Sequence, residues 1–346
     1  MKQRLLKITL FACGLAVLLW MVRAAGPELL WENLQQMQWA LLGCVLIWAA
    51  CYLLNAVSFG SIIGIYPLQR HMSRLELLRV TISGYAINYI TPFGLLGGEP
   101  YRILVLKKYI GLEAATSSVL LYAMMHICSH FVFWLVGCVL AALLLSHTTG
   151  WLSVLLIAIV CVCAVAILLF FVGYRSGMVV SLVHALARLP FVGRAVGRWS
   201  DRHAARLDEI DRGIVCLLKE HPRRFCFSLG VEFLSRMCSV LEIWLIVWQL
   251  GWHLSYSEAY LIVAFSSLFA NLLFFSPLQM GTREGGICLV MQQLVPLGGL
   301  AALMPLAVSV SLATRIRETV WIFIGLVLAM VNASVTTSYT TRVTTK

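Results

Sequence analysis

The chain has 346 residues, of which 61% are hydrophobic and only 12% charged, with a formal net charge of +11 and a mean hydropathy of +0.90. Soluble domains carry about 25% charged residues, so composition excludes a soluble enzyme and points to an all-α polytopic membrane protein. The length suits about six to eight crossings of about 20 apolar residues each. Nucleic acid is not an expected partner, because no aromatic-basic platform accompanies the positive charge.

The first apolar run, 5–22, carries Lys2, Arg4 and Lys7 at its head. It lacks a small-residue cleavage site and is expected to be a retained helix rather than a signal peptide. A second run covers about 39–63 and is followed by Arg70, Arg74 and Arg79. Lys107 and Lys108 close the next segment, after which 113–146 and 150–173 are apolar again. The stretch 174–224 holds ten Lys or Arg against five Asp or Glu. Its apolar residues, such as Val179, Leu182, Leu186 and Leu189, recur at helical spacing among Arg188, Arg194, Arg198, Arg202 and Arg206. It reads either as a basic amphipathic connector on an anionic membrane surface or as a solvated loop. Runs at about 225–250, 257–275 and 299–331 follow, then a polar tail over 332–346. Basic loops stay on the cytoplasmic side. The N-terminus, 64–79, 107–112 and 174–224 are therefore assigned to the cytoplasm of a plasma (inner) membrane protein.

One motif occurs twice, about 180 residues apart. The first copy contains Asn88, Pro92, Gly97, Gly98, Glu99 and Arg102; the second contains Asn271, Pro277, Gly281, Arg283 and Glu284. In both, a Glu stands seven residues after the Pro. Non-helical backbone at membrane depth must be buried in protein or line a polar cavity, and two such breaks in matching places mark transporter binding sites. Threading the chain through the charge pattern sets the two motifs in opposite directions, as inverted repeats. The expected organisation is a single membrane domain with repeat unit one at about 39–146, the connector 174–224, and repeat unit two at about 225–331. Pro305, with Arg315, Arg317 and Glu318, offers a division of 299–331 into two elements.

The chemistry of these residues suggests an anion site. Pro100 suits the first turn of a helix, where Glu99 also meets the positive helix end. Gly97 and Gly98 permit a sharp turn with accessible amides, and helix N-termini with an Arg nearby bind anions. The alternative is that Glu99–Arg102 and Arg283–Glu284 are charge pairs that only neutralise one another. Further intramembrane groups are His126, His130, Glu232, Arg236, Glu242, Arg315, Arg317 and Glu318. Each needs a cavity or a partner, since a charge at the bilayer centre costs roughly 2.5–3.5 kcal/mol on insertion scales. Arg315 and Glu318 could pair within one helix. His126 and His130 are one turn apart but lack a third ligand at metal-site spacing, so no metal or cofactor is expected. The eleven cysteines form no Cys-x-x-Cys pair and read as reduced core residues. No G-x-S-x-G elbow, Walker loop or H-E-x-x-H is present, so the chain is not expected to be an enzyme or an ATP-driven pump on its own.

The pattern Asn-x3-Pro-x4-Gly-Gly-Glu-x2-Arg, followed by a second Pro-x3-Gly-x2-Glu, resembles the lysylphosphatidylglycerol synthase transmembrane family, which is flippase-like. The resemblance covers about 5–332 and implies a polytopic fold whose polar cavity moves or accommodates anionic lipid headgroups. It implies functional positions at Asn88, Pro92, Gly97, Gly98, Glu99, Arg102, Asn271, Pro277, Gly281, Glu284 and Arg315. The chain lacks the soluble aminoacyltransferase domain of the two-part synthases, so lipid aminoacylation is not expected from it. His126 stands where a basic position, often arginine, is expected. The resulting expectation is a lipid transporter holding an anionic phospholipid or polyprenyl-phosphate lipid. Arg102, Arg283 and Arg315 would hold the phosphate, with Glu99 and Glu284 positioning those arginines; His126 and Glu318 complete the candidate binding residues. The alternative is a membrane subunit that presents lipid to a partner glycosyl- or aminoacyltransferase. A third reading, a small-ion or proton-coupled carrier, draws on the Glu and His residues.

Overall fold

The structure, a computed structural model, describes residues 23, 27–90, 97–144, 150–173, 200, 204, 207–208, 211–212, 215, 219–272, 282–294 and 300–344. The run 5–22, most of the connector 174–224, and Pro92, Pro277 and Gly281 lie outside them.

Ten helices run through the described residues, and no strand occurs among them. They are α1 (Pro27–Gln36), α2 (Gln38–Ile63), α3 (Arg74–Ile90), α4 (Gly98–Ile110), α5 (Leu112–Leu144), α6 (Gly150–Gly173), α7 (Pro222–Gln249), α8 (Tyr256–Leu272), α9 (Thr282–Leu294) and α10 (Leu300–Thr344). Among the described residues, α2 and α5 have the length and apolar composition to cross a membrane. Trp39, Leu42, Leu46, Leu53 and Val57 of α2 are exposed at spacings that place them along one side of the helix, as a lipid-facing stripe requires. The expected division near Pro305 does not occur: α10 is one helix with Pro305 inside it. A proline close to a helix start removes few backbone hydrogen bonds.

Each motif break joins a pair of short helices. α3 has 17 residues and α4 has 13; α8 has 17 and α9 has 13. A 13-residue helix is about 20 Å long, shorter than a bilayer core of about 30 Å. In both hairpins the two helices pack on each other. The first helix of each opens with a capping box. The Ser73 amide donates to Glu76 Oε2 at 2.9 Å and the Glu76 amide to Ser73 Oγ at 3.1 Å. Ser255 and Glu258 repeat this at 2.7 and 3.3 Å.

Two glycines are forced by geometry. Gly111, at φ 84°, turns the chain between α4 and α5, a conformation that side chains disfavour. A Cβ at Gly98 would run into the Gly84 carbonyl oxygen of α3, so α4 meets α3 backbone to backbone.

The chain divides into two compact units: Met1–Cys51, Val132–Cys161 and Arg236–Val320 form one, and Tyr52–Phe131, Val162–Ser235 and Trp321–Lys346 the other. The boundaries fall inside helices, so neither unit is one half of the chain. Each has its own apolar core. In the first, Cys44, Ile246, Leu261, Met291 and Val310 pack together; in the second, Phe59, Ile62, Leu106, Tyr122 and Met125 do so.

Candidate functional site

The first motif lies in the second unit. Asn88, near the end of α3, accepts the Gly98 amide on Oδ1 at 2.7 Å and donates Nδ2 to Glu99 Oε1 at 3.1 Å. A side chain of the preceding helix thus caps α4, filling the role an N-cap residue performs. The Gly98 amide, read from the sequence as accessible to a ligand, is therefore occupied. Gly97 has φ −97° and ψ −44°, an ordinary right-handed conformation.

Arg102 lies one turn along α4 and is 2% exposed. Its Nη1 is 3.4 Å from Glu99 Oε1 and its Nη2 is 3.4 Å from the Thr81 carbonyl. The guanidinium lies over the rings of Tyr85 (4.7 Å) and Tyr122 (5.4 Å), an attraction that strengthens away from water. A Cβ at Gly84 would collide with this guanidinium. The expected Glu99–Arg102 charge pair is present, and the arginine is enclosed by α3 and α5.

His126 belongs to the same unit. Its Nδ1 is 2.9 Å from Glu232 Oε2 and 3.2 Å from the Tyr85 hydroxyl, which is itself 2.9 Å from the Tyr122 hydroxyl. The His130 ring stands edge-on, with centroids 5.3 Å apart. Among the described residues, no three His, Cys, Asp or Glu side chains gather as a metal site would require.

The second motif lies in the first unit, and its charges pair differently from the sequence expectation. Arg283 reaches Glu318 Oε1 at 2.8 Å and Thr314 Oγ1 at 3.3 Å, while Arg315 donates to Glu284 Oε1 at 2.9 Å. These short contacts run crosswise between α9 and α10. Glu284 is fully buried and also accepts the Ser311 hydroxyl. Arg283 and Arg315 keep 25% and 23% of their side chains exposed. Arg283 at the start of α9 and Arg315 of α10 thus each meet a carboxylate and keep about a quarter of the side chain exposed. Asn271 donates back to the Ser267 carbonyl at 2.7 Å and does not cap α9 as Asn88 caps α4.

Arg317 carries this network inward. It is 3.7 Å from Glu318, forks onto both oxygens of Glu242 at 2.8 and 2.9 Å, and lies 3.9 Å over the Trp48 ring. The Trp48 indole N–H also meets Glu242, at 2.7 Å. Sequence reading singled out Arg317 and Glu242 as charges needing partners but could not pair them. Trp48, Tyr85, Tyr122, Ser311 and Thr314 were not anticipated; an aromatic or hydroxyl group in an apolar helix gives no signal of its own.

Long apolar helices, buried ion pairs and two broken-helix hairpins define a helical integral membrane protein. Neither a curated protein nor a solved structure matches the chain. The family described as lysylphosphatidylglycerol synthase TM region matches residues 4–327, nearly the whole length, and the chain belongs to that family. Membership ties the protein to membrane lipid biosynthesis or translocation.

Proposed function

We propose that this protein is a lipid transporter of the flippase type that binds phosphate-bearing lipid headgroups, in a plasma membrane, without catalysing a reaction on them. The observation that carries the reading is the pair Arg283 and Arg315. Both are about a quarter exposed and contact buried or nearly buried carboxylates; Arg283 lies in the first turn of α9 and Arg315 bonds to Glu284 of that turn, where the helix dipole favours an anion. Arginine offers a planar fork of donors that fits phosphate. Arg102 takes a different part in this reading: enclosed at 2% exposure, it braces the first hairpin and does not meet the headgroup. The matching lengths and capping boxes of the two hairpins support treating them as repeats, with acyl or prenyl chains left in the bilayer.

The test is the lipid that copurifies with the protein, measured by mass spectrometry. The reading expects anionic lipid enriched over its share of the host membrane, with the enrichment lost in Arg283→Ala and Arg315→Ala. A lipid profile equal to that of the membrane, unchanged in both variants, would contradict it. Enrichment without movement of the lipid, restored only by an added transferase, would point to a lipid-presenting subunit instead.

A further inference from the structure

The phosphate reading leaves the His126–Glu232 contact unused, and the geometry of that contact supports a function of its own. We propose that His126 and Glu232 form a proton-binding site that takes up and releases one proton.

The first argument concerns a single ring nitrogen. Nδ1 faces Glu232 Oε2 at 2.9 Å and the Tyr85 hydroxyl at 3.2 Å. A ring nitrogen carries either a proton or a lone pair, so the two contacts are alternatives. With Nδ1 protonated, it donates to the Glu232 carboxylate, and the Tyr85 hydroxyl turns to Tyr122, 2.9 Å away. With Nδ1 bare, it accepts from Tyr85 or from a protonated Glu232. The same heavy-atom positions serve both arrangements, which differ only in where protons sit.

The second argument is the state of Glu232. It is 1% exposed, and its Oε1 has no hydrogen-bond partner. A permanently ionised carboxylate in an apolar interior needs its acceptor sites filled. An unfilled oxygen suits a group that is neutral in one of its states. His126 is 30% exposed at the side chain and Glu232 1%.

The surroundings set the charge step. Tyr85 faces the pair from α3, and Tyr122 and His130 from α5. Behind Tyr85 stand Tyr52 of α2, and Arg102 with its partner Glu99 on α4. From neutral imidazole and carboxylate, uptake of one proton takes the pair from −1 to 0, as either imidazolium–carboxylate or imidazole–carboxylic acid. That change occurs beside the Tyr85 hydroxyl, whose ring carries Arg102. Proton occupancy would thereby act on the first motif, whatever the transported molecule.

Purified protein in lipid nanodiscs tests this without any cargo. Histidine nitrogens are followed by NMR and carboxyl groups by infrared spectroscopy across the pH range in which the protein stays folded, with His126→Asn and Glu232→Gln giving the assignments. The proposal expects the His126 signal, the Glu232 carboxyl band, or both to change with pH. Tyr85→Phe removes the group that donates to a bare Nδ1, so the midpoint should shift by up to about one pH unit, the size of one lost hydrogen bond. Constant signals in the wild type, or a midpoint unmoved by Tyr85→Phe, would overturn it. If Glu232→Gln does not fold, the wild-type His126 signal and its Tyr85→Phe shift still decide the matter.

Discussion

At the residue scale, the charges in this protein are placed by partners far away in sequence. Arg317 and Glu242 are 75 positions apart and form a two-point contact capped by Trp48. The rule that an intramembrane charge faces a partner or a cavity selected both residues correctly from sequence. Which partner each takes depends on helix packing, and so the bond from Arg315 to Glu284 was not readable from the sequence. Removing one member of a buried pair leaves the other uncompensated, at a cost of about 3–5 kcal/mol. Arg317→Ala should therefore lower the unfolding temperature strongly, and Arg317→Lys should recover only part of the loss, since an ammonium cannot fork onto Glu242 or stack as a plane. Thermal unfolding of the purified protein checks this; equal stability of all three forms would show that the contact contributes little.

At the element scale, the hairpins were legible as breaks but not as their internal fastening. The repeated Pro-to-Glu spacing located both. The Ser-x-x-Glu boxes at 73–76 and 255–258 were also present to be read and would have fixed the starts of α3 and α8. The backbone contact between Gly84 and Gly98 was not readable, because glycine in sequence signals a turn as readily as a close approach. Gly98→Ala pushes a methyl group against a carbonyl that cannot swing aside, so this hairpin should loosen by about 1–3 kcal/mol, the usual cost of overpacking. Faster hydrogen exchange in α3 and α4, with α8 and α9 unaffected, is the expected signature.

The end of the first hairpin that carries Ser73, Glu76 and Tyr109 should respond to pH. Burial raises the Glu76 carboxyl, but the Ser73 amide, the Tyr109 hydroxyl at 3.0 Å and the Ser73 hydroxyl outweigh it and hold the group below its usual value. Burial, then the bond to Glu76, pushes the Tyr109 hydroxyl up to about 12, so it stays a donor at neutral pH. With a depressed folded-state value, Glu76 stabilises the hairpin above its ordinary pKa. That contribution is lost as pH falls through the folded value. The group is partly exposed and the effect is screened. Exchange near 73–80 should quicken in acid, and Glu76→Gln should remove that dependence.

At the scale of the whole molecule, composition alone gave the class, and the motifs led to the family that matches residues 4–327. The helices at 38–63, 112–144, 150–173, 222–249 and 256–272 fall close to the apolar runs, because helix length in a membrane is written in hydropathy. The two compact units were not legible: their boundaries at 51, 131, 161, 235 and 320 lie within helices, where the sequence carries no punctuation. Nor could sequence divide the three candidate arginines, of which Arg102 is buried while Arg283 and Arg315 stay about a quarter exposed.

Lipid movement in reconstituted vesicles tests the central claim most directly, using headgroup-labelled anionic and zwitterionic lipids and four proteins: wild type, Arg283→Ala, Arg315→Ala, and Arg315→Ala combined with Glu284→Gln. The double variant relieves the buried Glu284 charge that Arg315→Ala alone would strand, so it should regain stability without regaining transport. The account predicts wild-type movement of the anionic lipid over the zwitterionic one, reduced at least tenfold in all three variants, which corresponds to about 1.4 kcal/mol or more of lost binding. Equal movement of both lipids by the wild type, or full activity in the folded double variant, would contradict it.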